Sequence, residues 1–264
     1  MQISILGCGW LGLPLGESLA KSHTVKGSVT SAEKFMLLQE KGIMPFRIDL
    51  NAPDEATIRD FLHGSDALII CIPPKAALKS DLSYPERIKV LIPYIASSGV
   101  KSVLFTSSIS VYGESDALPV VDETTTPNPQ TESGKQVFAA EQLLQECVDF
   151  KTTIVRLGGL VGGERHPVYH LAGKQNLENA YGPVNLVDRE ECIAIITRVI
   201  QKGCWGEVFT AVHPLGETRK EYYTGKAQEL GLPLPHFSET GITKGKIVKG
   251  QQKLAELLDF SFKK

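Results

Sequence analysis

No stretch of this 264-residue chain reaches the roughly 18 uninterrupted apolar residues that a spanning helix needs, so a membrane partner is not expected. Neither charge sign dominates. The 28 lysines and arginines face 30 acids for a net charge of −2, and no segment mixes basic residues with aromatics as a nucleic-acid surface would. Nucleic acid is therefore not an expected partner either. Cysteine is sparse: Cys8, Cys71, Cys147, Cys192 and Cys204 include no C-x-x-C pair and no zinc-type spacing. That argues against a disulfide framework and a metal site, and fits thiols in a reducing compartment. Although Leu6-Gly7-Cys8 faintly resembles a lipoprotein cleavage site, the short apolar run before it lacks a charged n-region. A cytoplasmic location is the expectation. Internal repeats and low-complexity linkers are also missing.

What is present is the composition of a soluble domain, 42% hydrophobic and 22% charged, with chain enough for a sizeable core. Its first residues carry a motif. Met-Gln-Ile-Ser-Ile-Leu reads as an apolar strand, and Gly7-Cys8-Gly9-Trp10-Leu11-Gly12 matches G-x-G-x-x-G at the junction with a helix over 11–21. In a dinucleotide site Gly7 permits the tight turn, Gly9 lets the backbone approach a pyrophosphate, and Gly12 lets helix and strand pack closely. The N–H groups of Trp10, Leu11 and the helix start would then hold the phosphates. A purely structural turn is the alternative, and the flanking strand and helix weigh against it.

Strand-like and helix-like segments alternate along the chain as in a doubly wound sheet. Strands are expected at 23–29, 45–49, 67–72, 103–106 and 152–157, and helices at 32–41, 54–62, 85–97 and 134–148. After Gly158 glycine and proline become frequent and the elements shorten. The sequence therefore predicts an α/β fold with a Rossmann-type parallel sheet over 1–160 and a smaller substrate-side lobe over 161–264. Residues 186–213, with a helix at 190–202 and a strand at 206–212, are expected to return to the main sheet. Helices at 217–230 and 250–258 complete the lobe.

Several signposts appear in order: Gly7, Gly9 and Gly12; Asp49-Leu50; Thr106-Ser107-Ser108-Ile109-Ser110-Val111-Tyr112-Gly113; Ala139-Ala140-Glu141; and Arg156-Leu157-Gly158-Gly159. On these the chain resembles the extended short-chain dehydrogenase/reductase superfamily, which holds the nucleotide-sugar epimerases and dehydratases. The resemblance implies an NAD(P)-dependent redox reaction on a small polar or sugar-like substrate. It also implies a serine, a tyrosine and, four residues later, a lysine as catalytic groups. The serine falls at Ser108, but Ser133 and Val137 stand where the tyrosine and lysine belong. The chain thus resembles an atypical subgroup without the Tyr-x-x-x-Lys pair, and a non-catalytic NADP(H) sensor or scaffold is the rival reading. A sugar-phosphate dehydrogenase of another Rossmann family, suggested by Ile72-Pro73-Pro74, is opposed by the Ser-Ser-Ile-Ser-Val-Tyr-Gly segment.

Three local replacements for the missing acid come into view. Lys135 lies half a turn from Val137, and surface solvation is its plain alternative. Tyr112 follows the serine strand. The loop Glu164–His170 gathers His166, Tyr169 and His170 after a strand end, where open α/β sheets bind ligands, although Pro167 opposes a metal pair of the two histidines. Ser108, Tyr112 and His166 are the catalytic candidates.

Cofactor choice is read at the end of the second strand, where an acid would bond the ribose 2′-hydroxyl of NAD. Ser28, Thr30 and Ser31 stand there instead, with Lys34 one turn on, which favours NADP, with NAD as the alternative. Ser31 also suits a helix cap. The resemblance places Asp49 against adenine, and Pro73 ends the fourth strand beside the cofactor. A homodimer through helices 85–97 and 134–148 is a further implication. Val90, Leu91, Val137, Phe138 and Leu144 would line it, or would be the core stripe of a monomer.

Overall fold

The computed structural model describes residues 1–74 and 82–263. The first half runs β1 (Gln2–Leu6), α1 (Gly12–Ala20), β2 (Thr24–Val29), α2 (Phe35–Glu40), β3 (Ile43–Arg47), α3 (Glu55–Leu62), β4 (Ala67–Ile70), α4 (Tyr84–Ser98), β5 (Ser102–Ser108) and β6 (Val120–Val121). The second runs α5 (Glu132–Gln145), β7 (Lys151–Leu157), β8 (Gly159–Val161), α6 (Val168–Leu171), β9 (Leu186–Asp188), α7 (Arg189–Lys202), β10 (Val208–Ala211), α8 (Arg219–Glu229), β11 (Ile247–Val248) and α9 (Gln251–Leu258).

Seven strands form one parallel sheet in the order β10-β7-β5-β4-β1-β2-β3. Parallel strands are covered by helices on both faces, so their residues alternate between two cores rather than between core and water. On β5, Leu104 joins Ile3, Ile5, Leu15 and Phe209 under α1 and α7, while Val103 and Phe105 join Ile88, Leu91, Val137 and Ile154 under α4 and α5. The strand order reverses at β1, between β2 and β4. The crevice at the carboxyl ends of those strands is where open α/β sheets take ligands.

The third strand is shifted from the 45–49 expected: it starts at Ile43, directly after Gly42 turns the chain at φ +72°. Pro45 is accommodated because β3 is an edge strand, where a missing donor costs no ladder bond. The helix expected at 32–41 opens as a 3₁₀ turn, Ala32–Lys34, before α2.

Beyond β7, β10 joins the large sheet beside it, whereas β8 and β9 pair only with each other. A third, smaller core of Val161, Val168, Val184, Leu186, Tyr223 and Ala227 lies under that pair. Helix α9 packs back on α7 and β10, so the end of the chain rests on the main sheet's helical layer. Leu91, Val137 and Leu144 lie in the core, leaving Val90 and Phe138 half-buried on α4 and α5. Among the described residues no helix is long and apolar enough to cross a membrane.

Candidate functional site

The glycine-rich turn between β1 and α1 shows why each glycine is there. Gly7 has φ +98°, a backbone region open to glycine at little cost. A Cβ on Gly12 would lie 2.2 Å from the Gly7 carbonyl oxygen, so turn and helix fit only without one. Gly9 differs: a Cβ there would meet nothing within 4 Å. No side chain caps α1 and no acid sits in its first turn, which leaves its positive end available to an anion.

Two cavities meet over this turn and share Gly9, Cys71, Ile72 and Pro73, forming one continuous groove. The first, about 360 Å3, runs over the ends of β2 and β3 and is lined by Ser28, Thr30, Lys34, Asp49, Asn51 and Arg87. Asp49 is held locally, its Oδ1 accepting from the Asn51 backbone at 3.0 Å and from the Asn51 amide at 2.9 Å. Ser28 is buried and its Oγ accepts from Gly7 N–H at 3.0 Å, so it braces the turn from below. Ser31 precedes the 3₁₀ turn, makes no side-chain cap hydrogen bond and stands between Thr30 and Lys34, which line this cavity.

Arg87 is the residue the sequence reading overlooked. It is buried on α4 with its guanidinium 5.3 Å from the Tyr84 ring and donates from Nη2 to the Pro74 carbonyl at 3.2 Å. Its buried Nε has no hydrogen-bond partner among the described residues, which leaves a donor at the wall of the groove. The signal was there: Tyr84, Arg87, Ile88, Leu91 and Ile95 form the buried stripe of α4, with a cation in it.

The second cavity, about 410 Å3, is lined by Trp10, Leu11, Thr106, Ser107, Ser108, Ser110, Ser133 and Val137, among others. Ser108 sits at its wall with Oγ accepting from Ser110 N–H at 3.1 Å. Ser133 and Val137 face the same space, one turn apart on α5. Trp10 has the guanidinium carbons of Arg165 and Arg189 at 4.8 and 4.9 Å from its ring centroid, cation–π contacts that tie the glycine turn to the loop after β8 and to the start of α7.

Tyr112 does not belong to this cavity. It is 1% exposed, donates to the Asp122 carbonyl at 2.6 Å and accepts from Arg156 Nη1 at 2.7 Å. Burial raises the pKa of its phenol, and both hydrogen-bonding roles are already taken. The catalytic expectation for Tyr112 is thereby corrected to a structural one. Arg156 in turn grips Glu141, Nε to Oε1 at 3.0 Å and Nη2 to Oε2 at 2.7 Å, while Ser107 donates to the same carboxylate.

His166 is also placed away from Ser108. It lines a separate cavity on the far side of β8, 3.0 Å from Tyr222 Oη, whereas its neighbour Arg165 reaches the groove. Helix α6 begins only at Val168, so His166 and the exposed His170 are not companions on one helix face. Lys135 is exposed on α5. Two other proton-bearing groups in the groove are unsuited to transfer near neutrality: burial pushes the Cys71 thiol up to about 12, and it raises the Tyr84 phenol, which donates to the Ile72 carbonyl at 2.9 Å. All five cysteines are free.

Comparison with known proteins agrees with this geometry. Residues 7–190 match the family model described as NAD(P)H-binding. The chain is 34% identical over 260 residues to Protein YeeZ of Escherichia coli K12, covering 97% of this chain and 94% of that one. In fold it is similar to a conserved protein of unknown function from Silicibacter pomeroyi DSS, with TM-score 0.81, 20% identity, and 100% of this chain and 94% of that chain covered. It is likewise similar to the UDP-glucuronic acid 4-epimerase of Bacillus cereus solved with NAD, with TM-score 0.79, 17% identity, and coverage of 99% and 93%. With a parallel sheet reversing at a glycine turn and a family match spanning that turn, the chain belongs to the NAD(P)H-binding family.

Proposed function

We propose that the chain binds NADP(H) in preference to NAD and serves as a cofactor-binding sensor or scaffold of the epimerase/dehydratase type. The observation that carries the binding half is Gly9, whose missing side chain opens onto empty space rather than onto protein, so packing does not account for the glycine. A diphosphate over the start of α1 accounts for it. The adenosine half would lie among Thr30, Asp49 and Arg87, with Lys34 beside it. No acid lines the groove at the end of β2 to repel a 2′-phosphate, and Lys34 and the orphaned Arg87 donor supply positive charge.

The sensor half rests on the second cavity. Serine hydroxyls line it, but Ser133 and Val137 replace the phenol and the ammonium, Tyr112 is locked behind it and His166 lies beyond β8. A positioned proton donor contributes about 10²–10⁴ in rate, and the described residues place none of the usual ones there. The second reading, turnover of a small polar or sugar-like substrate, is favoured by one observation: the cavity joins the cofactor groove and carries Ser108 and Arg165 in its wall.

Calorimetric titration tests the binding half, with NADPH expected to bind more tightly than NADH. Equal or reversed preference would remove the NADP argument, and no binding of either would remove the site. For the sensor half, the parent should show no NADPH oxidation with carbonyl substrates, and Ser133→Tyr with Val137→Lys should gain some. Parent turnover that Ser108→Ala abolishes would establish the enzyme reading instead.

A further inference from the structure

A cavity of about 320 Å3 shares no lining residue with the cofactor groove. It lies on the opposite face of the small β8–β9 sheet. Leu160 lines the groove, while Val161, next along the strand, lines this cavity with Leu186, Val187 and Asp188 of β9.

Its polar groups come as two preassembled pairs. His166 Nδ1 accepts from Val168 N–H at 3.1 Å, which puts the imidazole proton on Nε2, and Nε2 donates to Tyr222 Oη at 3.0 Å. The Tyr222 hydroxyl proton is left to donate elsewhere. Burial holds that phenol up at about 12, so it stays a neutral donor. In the second pair His213 Nδ1 faces Glu191, 3.1 Å from Oε1 and 3.2 Å from Oε2. In the neutral imidazole the carboxylate fixes the proton on Nδ1 and leaves Nε2 as an acceptor. His213 itself is pinned by its N–H to the Leu186 carbonyl at 2.8 Å.

The one lysine that lines the cavity is already paired, and the cavity's carboxylates already accept hydrogen bonds. Asp188 caps α7 and accepts from Glu190 N–H at 2.7 Å, Glu191 faces His213, and Lys226 bonds both Glu229 oxygens at 2.9 Å. An anionic ligand would find no free counter-charge. What remains is the Tyr222 donor and the His213 acceptor between the apolar walls of Val161, Leu186 and Leu215, with the exposed Tyr169 also in the lining. A hydroxyl group answers both, accepting from one side and donating to the other. The volume sits at the small end of the roughly 300–1,000 Å3 range of ligand pockets.

We propose that this cavity is a second binding site, for a small neutral polyol of monosaccharide size, with Tyr222 donating to and His213 accepting from its hydroxyls. The site stands independently of the cofactor reading. Titration calorimetry on the full chain with glucose, ribose and myo-inositol tests it, with glucuronate and ribose 5-phosphate as charged counterparts. At least one neutral probe is expected to bind saturably, with affinity lowered about fivefold or more in Tyr222→Phe and in His213→Phe. In the unaltered protein the same probe should shift the imidazole NMR signals of both His166 and His213, a readout that does not depend on a variant folding. The proposal is overturned if no neutral probe binds, if the charged ones bind as tightly, if the histidine signals stay in place, or if saturating NADPH competes the probe away.

Discussion

Gly9 and Gly12 stand three residues apart in one motif and are constrained by different things. At Gly12 the constraint is internal, because any side chain collides with the Gly7 carbonyl, and backbone does not yield as a flexible side chain would. At Gly9 the protein imposes none. Gly12→Ala is therefore expected to destabilise the fold by about 1–3 kcal/mol, the usual cost of overpacking, in denaturant melts. Gly9→Val should melt like the parent while losing NADPH affinity at least tenfold by titration. A stable Gly12→Ala protein, or a Gly9→Val protein that binds normally, would contradict the assignment. His166 offers a second test at this scale. Burial first, and Lys226 second, lower its pKa below the ordinary histidine value of about 6.5. Between that value and its folded midpoint the unfolded chain binds more protons, so this group's contribution makes stability fall as pH falls through the window. An NMR titration of the His166 ring should show the depressed midpoint, and Lys226→Gln should raise it. A midpoint at or above the ordinary value would show that the imidazole is not held neutral.

Helix α5 is tied to the sheet by a buried ion pair as well as by its apolar stripe. Glu141 is 0% exposed and bonds Arg156 of β7 twice, and Arg156 also holds Tyr112. Removing one member strands the other charge in a dry site, while replacing both with apolar residues does not. Arg156→Met is accordingly expected to cost about 3–5 kcal/mol in urea melts, with most of it recovered in the Glu141→Leu, Arg156→Met double variant. A loss under about 1 kcal/mol in the single variant would mean that water or rearrangement satisfies Glu141. This network also shows where reading elements from sequence stops. The strand–turn–helix at Gly7–Gly12 is legible because its demands are local, and the apolar runs at 67–70 and 103–105 are legible because both faces of a parallel strand are buried. Tyr112 is not, since its fate depends on Arg156, 44 residues away. The two- and three-residue strands β6, β8, β9 and β11 carry too little pattern to register, and β6 and β11 pair across more than a hundred residues, as Val120 with Ile247. The strand-end position that makes His166 a companion of Ser108 in sequence does not hold in space, because the loop after β8 sends Arg165 to the groove and His166 to the other cavity, around a small sheet that the sequence does not announce.

At the scale of the whole molecule, the covering of the sheet decides how much surface is left for a partner. Of the five residues expected to line a contact through α4 and α5, Leu91, Val137 and Leu144 are spent in the core beneath those helices. Val90 and Phe138 are half-buried, and none of the large, well-exposed hydrophobic residues lies on either helix. A stable association buries about 1,200–2,000 Å2 in total and centres on apolar anchors, which this face supplies sparingly. The expected outcome is a light-scattering mass near 28.8 kDa at micromolar concentration, that of one chain. A mass of twice that value, falling back to one chain's in Phe138→Glu, would place a dimer on this face after all. If the mass doubles and Phe138→Glu leaves it doubled, the contact lies elsewhere on the molecule, and the helices over the nucleotide groove serve the fold alone.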